Sequence, residues 1–129
     1  GALVADELGL PFVYVRSAPK DHGLENLIEG DLRPGQKVVV VEDLISTGGS
    51  SLKAVEALRN DGCEVLGMVA IFTYGFPIAA EKFQKAKVEL TTLSNYDAVL
   101  EYALKVDYIS NDDIDILRAW RKSPETWNR

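Results

Sequence analysis

The sequence predicts an α/β fold, a doubly wound parallel sheet forming one domain over residues 1–129, and three observations carry that expectation. Apolar, β-branched runs alternate with stretches of helical periodicity along the chain, the pattern of strand–helix–strand units. The run Val38-Val39-Val40-Val41 is too short to span a membrane and too β-branched for a comfortable helix, so it reads as a strand covered on both faces. With 129 residues and 47 % hydrophobic content, the chain can bury one substantial core.

The elements follow in order. Residues Ala2–Leu8 are expected to form a helix closed by Gly9, the residue that adopts a left-handed C-cap at least cost. Phe12–Arg16 is expected to be a strand, followed by a long polar loop through Gly30. A strand over Lys37–Asp43 then leads to a helix at about Ser51–Asn60. Strand Val65–Phe72, helix Ile78–Ala86 and strand Val88–Leu93 repeat the unit. Tyr96–Leu104 carries apolar residues at helical spacing. Ser110 and Asp113 have capping-box spacing ahead of Ile114-Asp115-Ile116-Leu117, so two helices end the chain. There is no repeat, linker or low-complexity tract.

Charge and cysteine content limit the function. Fourteen basic against twenty acidic residues give a net charge of −6, which argues against a general nucleic-acid surface. Affinity for phosphate must therefore be local. The single cysteine, Cys63, follows Gly62 in a helix-to-strand turn and reads as a packing residue. The sequence contains nothing like a signal peptide and no apolar run of membrane length, so a cytoplasmic protein without membrane contact is expected.

Chemistry concentrates after the valine run. Glu42 and Asp43 stand at the C-terminal end of the strand, the edge of an open α/β sheet where ligands bind. Ser46-Thr47-Gly48-Gly49-Ser50-Ser51 follows at once. It offers hydroxyls, two glycines that let backbone approach closely, and a helix N-terminus with free N–H groups, which together suit a phosphate. Two carboxylates would repel that phosphate if both faced it. Neutral ribose hydroxyls, met directly or through a metal ion, are their better partners. No lysine follows Gly48-Gly49, so this is not an ATP-binding P-loop, and no Gly-x-Gly-x-x-Gly run points to a dinucleotide. The plain alternative is a strand-to-helix turn N-capped by Ser50 or Ser51.

The loop after Phe12–Arg16 is the second candidate. It brings together Arg16, Lys20, Asp21 and His22, and a structureless loop of that length is more often functional than decorative. Taken singly, Lys20 and Asp21 also fit a solvated pair, and His22 an exposed residue.

These two segments resemble the type I phosphoribosyltransferases, whose signature is a hydrophobic strand ending in two acidic residues and a Thr/Gly/Ser phosphate loop. Arg16-x-x-x-Lys20-x-His22-Gly23 resembles the mobile catalytic loop of the orotate phosphoribosyltransferases. Within that resemblance Arg16, Lys20 and His22 match residues that contact pyrophosphate, and Asp21 an acidic loop position. Ser17 stands where many relatives carry lysine. Gly67–Gly75, Leu93–Tyr96 and Trp120–Trp127 are similar to the Gram-positive type of that family. Thr73-Tyr74 stand where many other members place an arginine that meets the base carboxylate.

The resemblance implies transfer of phosphoribosyl from 5-phosphoribosyl 1-diphosphate to orotate, giving orotidine 5′-phosphate and diphosphate, a step of pyrimidine synthesis. Lys20, His22 and Asp43 would be catalytic. Arg16 would help Lys20 and His22 neutralise the diphosphate, Glu42 and Asp43 would hold the ribose, and Ser46, Thr47, Gly48, Gly49 and Ser50 would grip the 5′-phosphate. Mg²⁺ would ride mainly on the diphosphate and ribose hydroxyls, without a dedicated protein metal site. A homodimer, its loop reaching the partner's site, follows from the same resemblance. So does the expectation that this chain is the C-terminal portion of a longer enzyme, lacking the hood over the base, the first core strand and a pyrophosphate loop. The alternatives are a purine-base phosphoribosyltransferase, a non-catalytic nucleotide-sensing regulator of the same fold, and an inactive fragment.

Overall fold

A computed structural model describes residues 1–16 and 27–127. Ser17, Lys20, Asp21 and His22 lie outside the described residues. Helix α1 spans Ala2–Leu8 and ends as expected at Gly9, whose φ of 63° is left-handed and whose cap N–H groups return to Ala5 and Asp6. Strand β1, Tyr14–Val15, pairs antiparallel with β2, Ile28–Glu29, with Tyr14 opposite Glu29. This corrects two expectations: the first strand does not join the parallel sheet, and the polar loop ends in a strand. Its return is anchored where the Arg16 N–H donates to the Leu27 carbonyl at 2.7 Å.

The parallel sheet consists of β3 (Lys37–Ile45), β4 (Glu64–Thr73) and β5 (Leu90–Asn95), in that spatial order. Helix α2 (Gly49–Asn60) connects the first pair and α3 (Pro77–Ala86) the second, which makes the fold α/β, as the alternation predicts. Ile45 lies opposite Thr73, and Thr73 opposite Asn95, so all three strands end level. Every loop that leaves this edge therefore starts beside its neighbour.

Ile45, Val55, Met68, Ala70, Ala79, Phe83 and Val88 form the core between the sheet and helices α2 and α3. Complete burial of side chains such as Ile45 and Met68 contributes about 2 kcal/mol each. The valine run is not covered on both faces. Val38 and Val40 turn toward the helices, whereas Val39 is 51 % exposed and shares the open face with Val41, Val69, Ile71 and Leu93. The reason is that α2 and α3 both pack on one side, and strand alternation sends every second side chain to the other.

Beyond the sheet's C-terminal edge, α4 (Tyr96–Lys105) and α5 (Asn111–Lys122) enclose a second core of Tyr96, Leu100 and Ile114, with Phe72, Tyr74 and Trp120 against it. The capping box forms as predicted. Ser110 Oγ accepts from the Asp113 N–H at 3.2 Å, and the Ser110 N–H donates to Asp113 Oδ2 at 2.8 Å. Hydrogen bonds from the Ser110 side chain, then from its backbone, hold the Asp113 carboxyl below the usual carboxylate range. Cys63 is buried, its Sγ 3.6 Å from the Arg33 carbonyl, in keeping with a packing role. Among the described residues no helix is long and apolar enough to cross a membrane.

Candidate functional site

The level strand ends position the site. β3 runs two residues past Asp43, to Ile45, and the chain then turns through Ser46, Thr47 and Gly48 directly into α2 at Gly49. The helix starts earlier than expected, and neither Ser50 nor Ser51 is its cap. The N-cap is Gly48, at φ 74°, with no side-chain cap bond. Leu52 is the residue whose N–H reaches back to the Gly48 carbonyl, at 3.0 Å. The N–H groups of Gly49, Ser50 and Ser51 therefore precede the helix's own bonding ladder and have no intrahelical partner. They point, with the positive end of the helix dipole, out of the helix end, where an anion is stabilised. Ser46, Thr47 and Ser50 are exposed around that end, while Ser51 is buried.

Gly48 has two reasons to be glycine. Its left-handed φ disfavours any side chain, and a β-carbon there would lie 2.8 Å from the Phe83 ring on α3. Phe83 thus packs directly beneath the turn and fixes its height. Thr73 fixes its edge: its Oγ1 donates to the Ile45 carbonyl at 3.3 Å and accepts from the Gly75 N–H at 3.0 Å, tying the end of β4 to the start of the loop. Neither supporting residue was evident in the sequence. Phe83 looks like any apolar residue at helical spacing, and a threonine at a strand end has many uses.

Glu42 is half-buried and Asp43 exposed, because successive residues of a strand face opposite ways. Among the described residues neither carboxylate has a hydrogen bond or an ion pair. Two acids without a partner among the described residues, beside a turn with free N–H groups, are suited to hydroxyl donors, and carboxylate oxygens are of the kind that Mg²⁺ takes as ligands. Among the described residues no group of three or more His, Cys, Asp or Glu is arranged to hold a metal ion.

Arg16 leaves β1 and donates through Nη1 to Glu29 Oε1 at 2.9 Å, an ion pair across the two-stranded hairpin. Among the described residues no hydrogen bond or ion pair joins it to the loop after β3. Lys20 and His22 lie outside the described residues. A cleft of about 680 Å³ runs along β3 and α1, lined by Val4, Leu8, Phe12, Val39 and Val41; it is largely apolar and holds none of the turn residues, though Glu42 borders it.

The end of β4 carries an aromatic cluster. Tyr74 stacks on Phe76 with ring centres 5.4 Å apart, and meets Trp120 edge-on at 5.6 Å. Tyr96 lies 5.9 Å from Tyr74, and its hydroxyl donates to the Leu117 carbonyl at 3.3 Å. Burial raises the Tyr96 phenol pKa, and the nearby Arg121 charge opposes that rise.

The phosphoribosyl transferase domain family matches residues 1–106 of this chain. The chain is 73 % identical to the orotate phosphoribosyltransferase of Phocaeicola vulgatus over 127 residues, which covers 98 % of this chain and 60 % of that protein. Two solved structures share the fold. One is Leishmania donovani UMP synthase, with a TM-score of 0.77 and 25 % identity over 93 % of this chain and 26 % of that one. The other is orotate phosphoribosyltransferase from Aeropyrum pernix, with a TM-score of 0.71 and 33 % identity over 84 % of this chain and 59 % of that one. The chain thus spans about three-fifths of the length of the curated relatives it matches.

Proposed function

The chain belongs to the phosphoribosyl transferase domain family, and we propose on that premise that the full-length protein carrying it transfers phosphoribosyl from 5-phosphoribosyl 1-diphosphate to orotate. The observation that carries the reading is the succession at the level strand ends: two carboxylates without a partner among the described residues, a glycine turn, and three N–H groups at the start of α2 with no intrahelical partner. The choice of orotate as base rests on relatives above 70 % identity that bear that name. A purine base or a nucleotide-sensing regulator has no comparable support.

In this mechanism the α2 N-terminus and the hydroxyls of Ser46, Thr47 and Ser50 hold the 5′-phosphate. Glu42 and Asp43 accept hydrogen bonds from the ribose hydroxyls and offset the positive charge that grows on the ring as the C1–O bond breaks. Orotate N1 gives up its proton and forms the new bond to C1, while the C1–O bond breaks with its electron pair going to the departing diphosphate, whose oxygen can take up that proton. Lys20, Arg16 and His22 take up the charge of the departing diphosphate. For Arg16 this means exchanging Glu29, a half-exposed partner, for a more highly charged one. Mg²⁺ would supply further charge neutralisation here, with Glu42 and Asp43 the residues that would meet it. A cytoplasmic homodimer, one protomer's loop serving its partner's site, completes the proposal.

Replacing Glu42 by Gln and Asp43 by Asn tests the ribose assignment, because each change keeps shape and removes charge. Each variant should lose about tenfold in kcat/KM, the worth of a charge-assisted hydrogen bond. Steady-state assays with donor and orotate, beside melting curves, give the answer. Unchanged kinetics in both variants would leave the carboxylates without a catalytic role.

A further inference from the structure

The proposed substrate is an anion: orotate carries a carboxylate next to the ring nitrogen that reacts, and a site that selects it over a neutral pyrimidine needs a cation near the base. The register sets Thr73 opposite Ile45, so the corner after β4 stands beside the sugar-phosphate turn after β3. Among the described strands β4 is the one neighbour of β3, so this corner is the adjoining stretch of the sheet edge from which a base on the ribose can be met. Its own residues are already engaged. Thr73 ties the strand ends together, and Tyr74 is held among Phe72, Phe76, Tyr96 and Trp120.

A cation reaches the corner from α5. A β-carbon on Gly75 would lie 3.7 Å from Arg121 Nη1, so the guanidinium rests against bare backbone at the turn, where φ is 67°. It is held in place from two sides. Nη1 donates to Asp97 Oδ2 at 2.6 Å, and the guanidinium carbon sits 5.9 Å from the Tyr96 ring centre. The side chain is 29 % exposed, so the charge is partly desolvated yet reachable. Among the described residues Asp97 is the one acceptor that it meets. A guanidinium has five N–H donors in a planar fork, which leaves donors that match a second carboxylate.

We propose that Arg121 is the residue that receives the orotate carboxylate and selects orotate over neutral pyrimidines, with Asp97 and Tyr96 positioning it. This assignment rests on the orotate reading above. Its alternative is a purely structural ion pair that ties α5 to the start of α4.

The test uses the full-length protein with Arg121→Met, Arg121→Lys and Asp97→Asn. Orotate and uracil serve as acceptor bases, and KM for the phosphoribosyl donor is followed in each variant. Arg121→Met should raise KM for orotate at least tenfold, leave donor KM within about twofold, and shrink the ratio of orotate to uracil kcat/KM. Arg121→Lys keeps the charge but loses the fork, and should give an intermediate loss. Asp97→Asn should keep most of the base preference, because the arginine remains. Should Arg121→Met fail to fold, the lysine and asparagine variants answer the same question. An unchanged orotate KM overturns the assignment. So does equal loss toward orotate, uracil and donor, or an Asp97→Asn variant as impaired in base choice as Arg121→Met, since both are what a structural pair produces. A wild-type protein that does not use orotate at all defeats the proposed function itself, and this inference with it.

Discussion

Gly48→Ala is expected to lower the melting temperature by on the order of 10 °C and to weaken binding of ribose 5-phosphate by tenfold or more. Two independent costs add. A left-handed conformation costs a non-glycine residue about 1–2 kcal/mol, and pushing aside the Phe83 ring, which a new β-carbon would meet at 2.8 Å, costs roughly 1–3 kcal/mol as overpacking. For a domain of this size each kcal/mol is worth about 4 °C in melting temperature. Binding suffers because the N–H groups of Gly49, Ser50 and Ser51 are aimed by the Gly48 turn. Calorimetric melting and a ribose 5-phosphate titration read the two effects separately. A variant that melts and binds like the wild type would mean that the turn is not the phosphate site.

Replacing Lys20 by Ala in the full-length protein is expected to reduce kcat on the order of 10²-fold while changing donor affinity little. The leaving diphosphate gains charge only as the C1–O bond breaks, so a cation that meets it acts mainly in the transition state. Loss of such a group lowers kcat and kcat/KM together. Single-turnover kinetics beside donor titration distinguish this from a binding role. An unchanged kcat removes Lys20 from the mechanism, and a large rise in donor Kd with normal kcat makes it a ground-state contact. His22→Ala, in the same segment, provides the internal comparison.

Much of the fold was legible because its signals are local. The valine run, the Gly9 cap and the Ser110–Asp113 box each encode their structure within a few residues, and each formed where expected. The misplaced features depend on distant partners. Whether Val39 and Val41 are covered depends on which side α2 and α3 choose, and the strand's own sequence does not record that choice. The Tyr14–Val15 pair left the parallel sheet because Ile28–Glu29 folds back on it, across a loop that carries no strand signal.

The site divides in the same way. The acidic pair and the Ser/Gly turn lie within ten consecutive residues, Glu42–Ser51, and their chemistry follows from order alone. The early start of α2 at Gly49 was missed because serines are better N-caps by composition, whereas Phe83, more than thirty residues later, selects glycine at the cap. Thr73 and Arg121 were also out of reach. The first works through the Ile45 carbonyl, 28 residues away, and the second is carried to Gly75 by α5.

The proposed mechanism depends above all on the turn between β3 and α2 binding the 5′-phosphate of a ribose. The most direct test is a backbone amide NMR titration of this chain with ribose 5-phosphate, with unphosphorylated ribose as control. Saturable shifts are expected to concentrate in the amides of Thr47 to Ser51, with smaller shifts at Glu42 and Asp43, and none in the turn with ribose alone. Shifts centred on the apolar cleft along α1, or equal responses to ribose with and without its phosphate, would contradict this assignment.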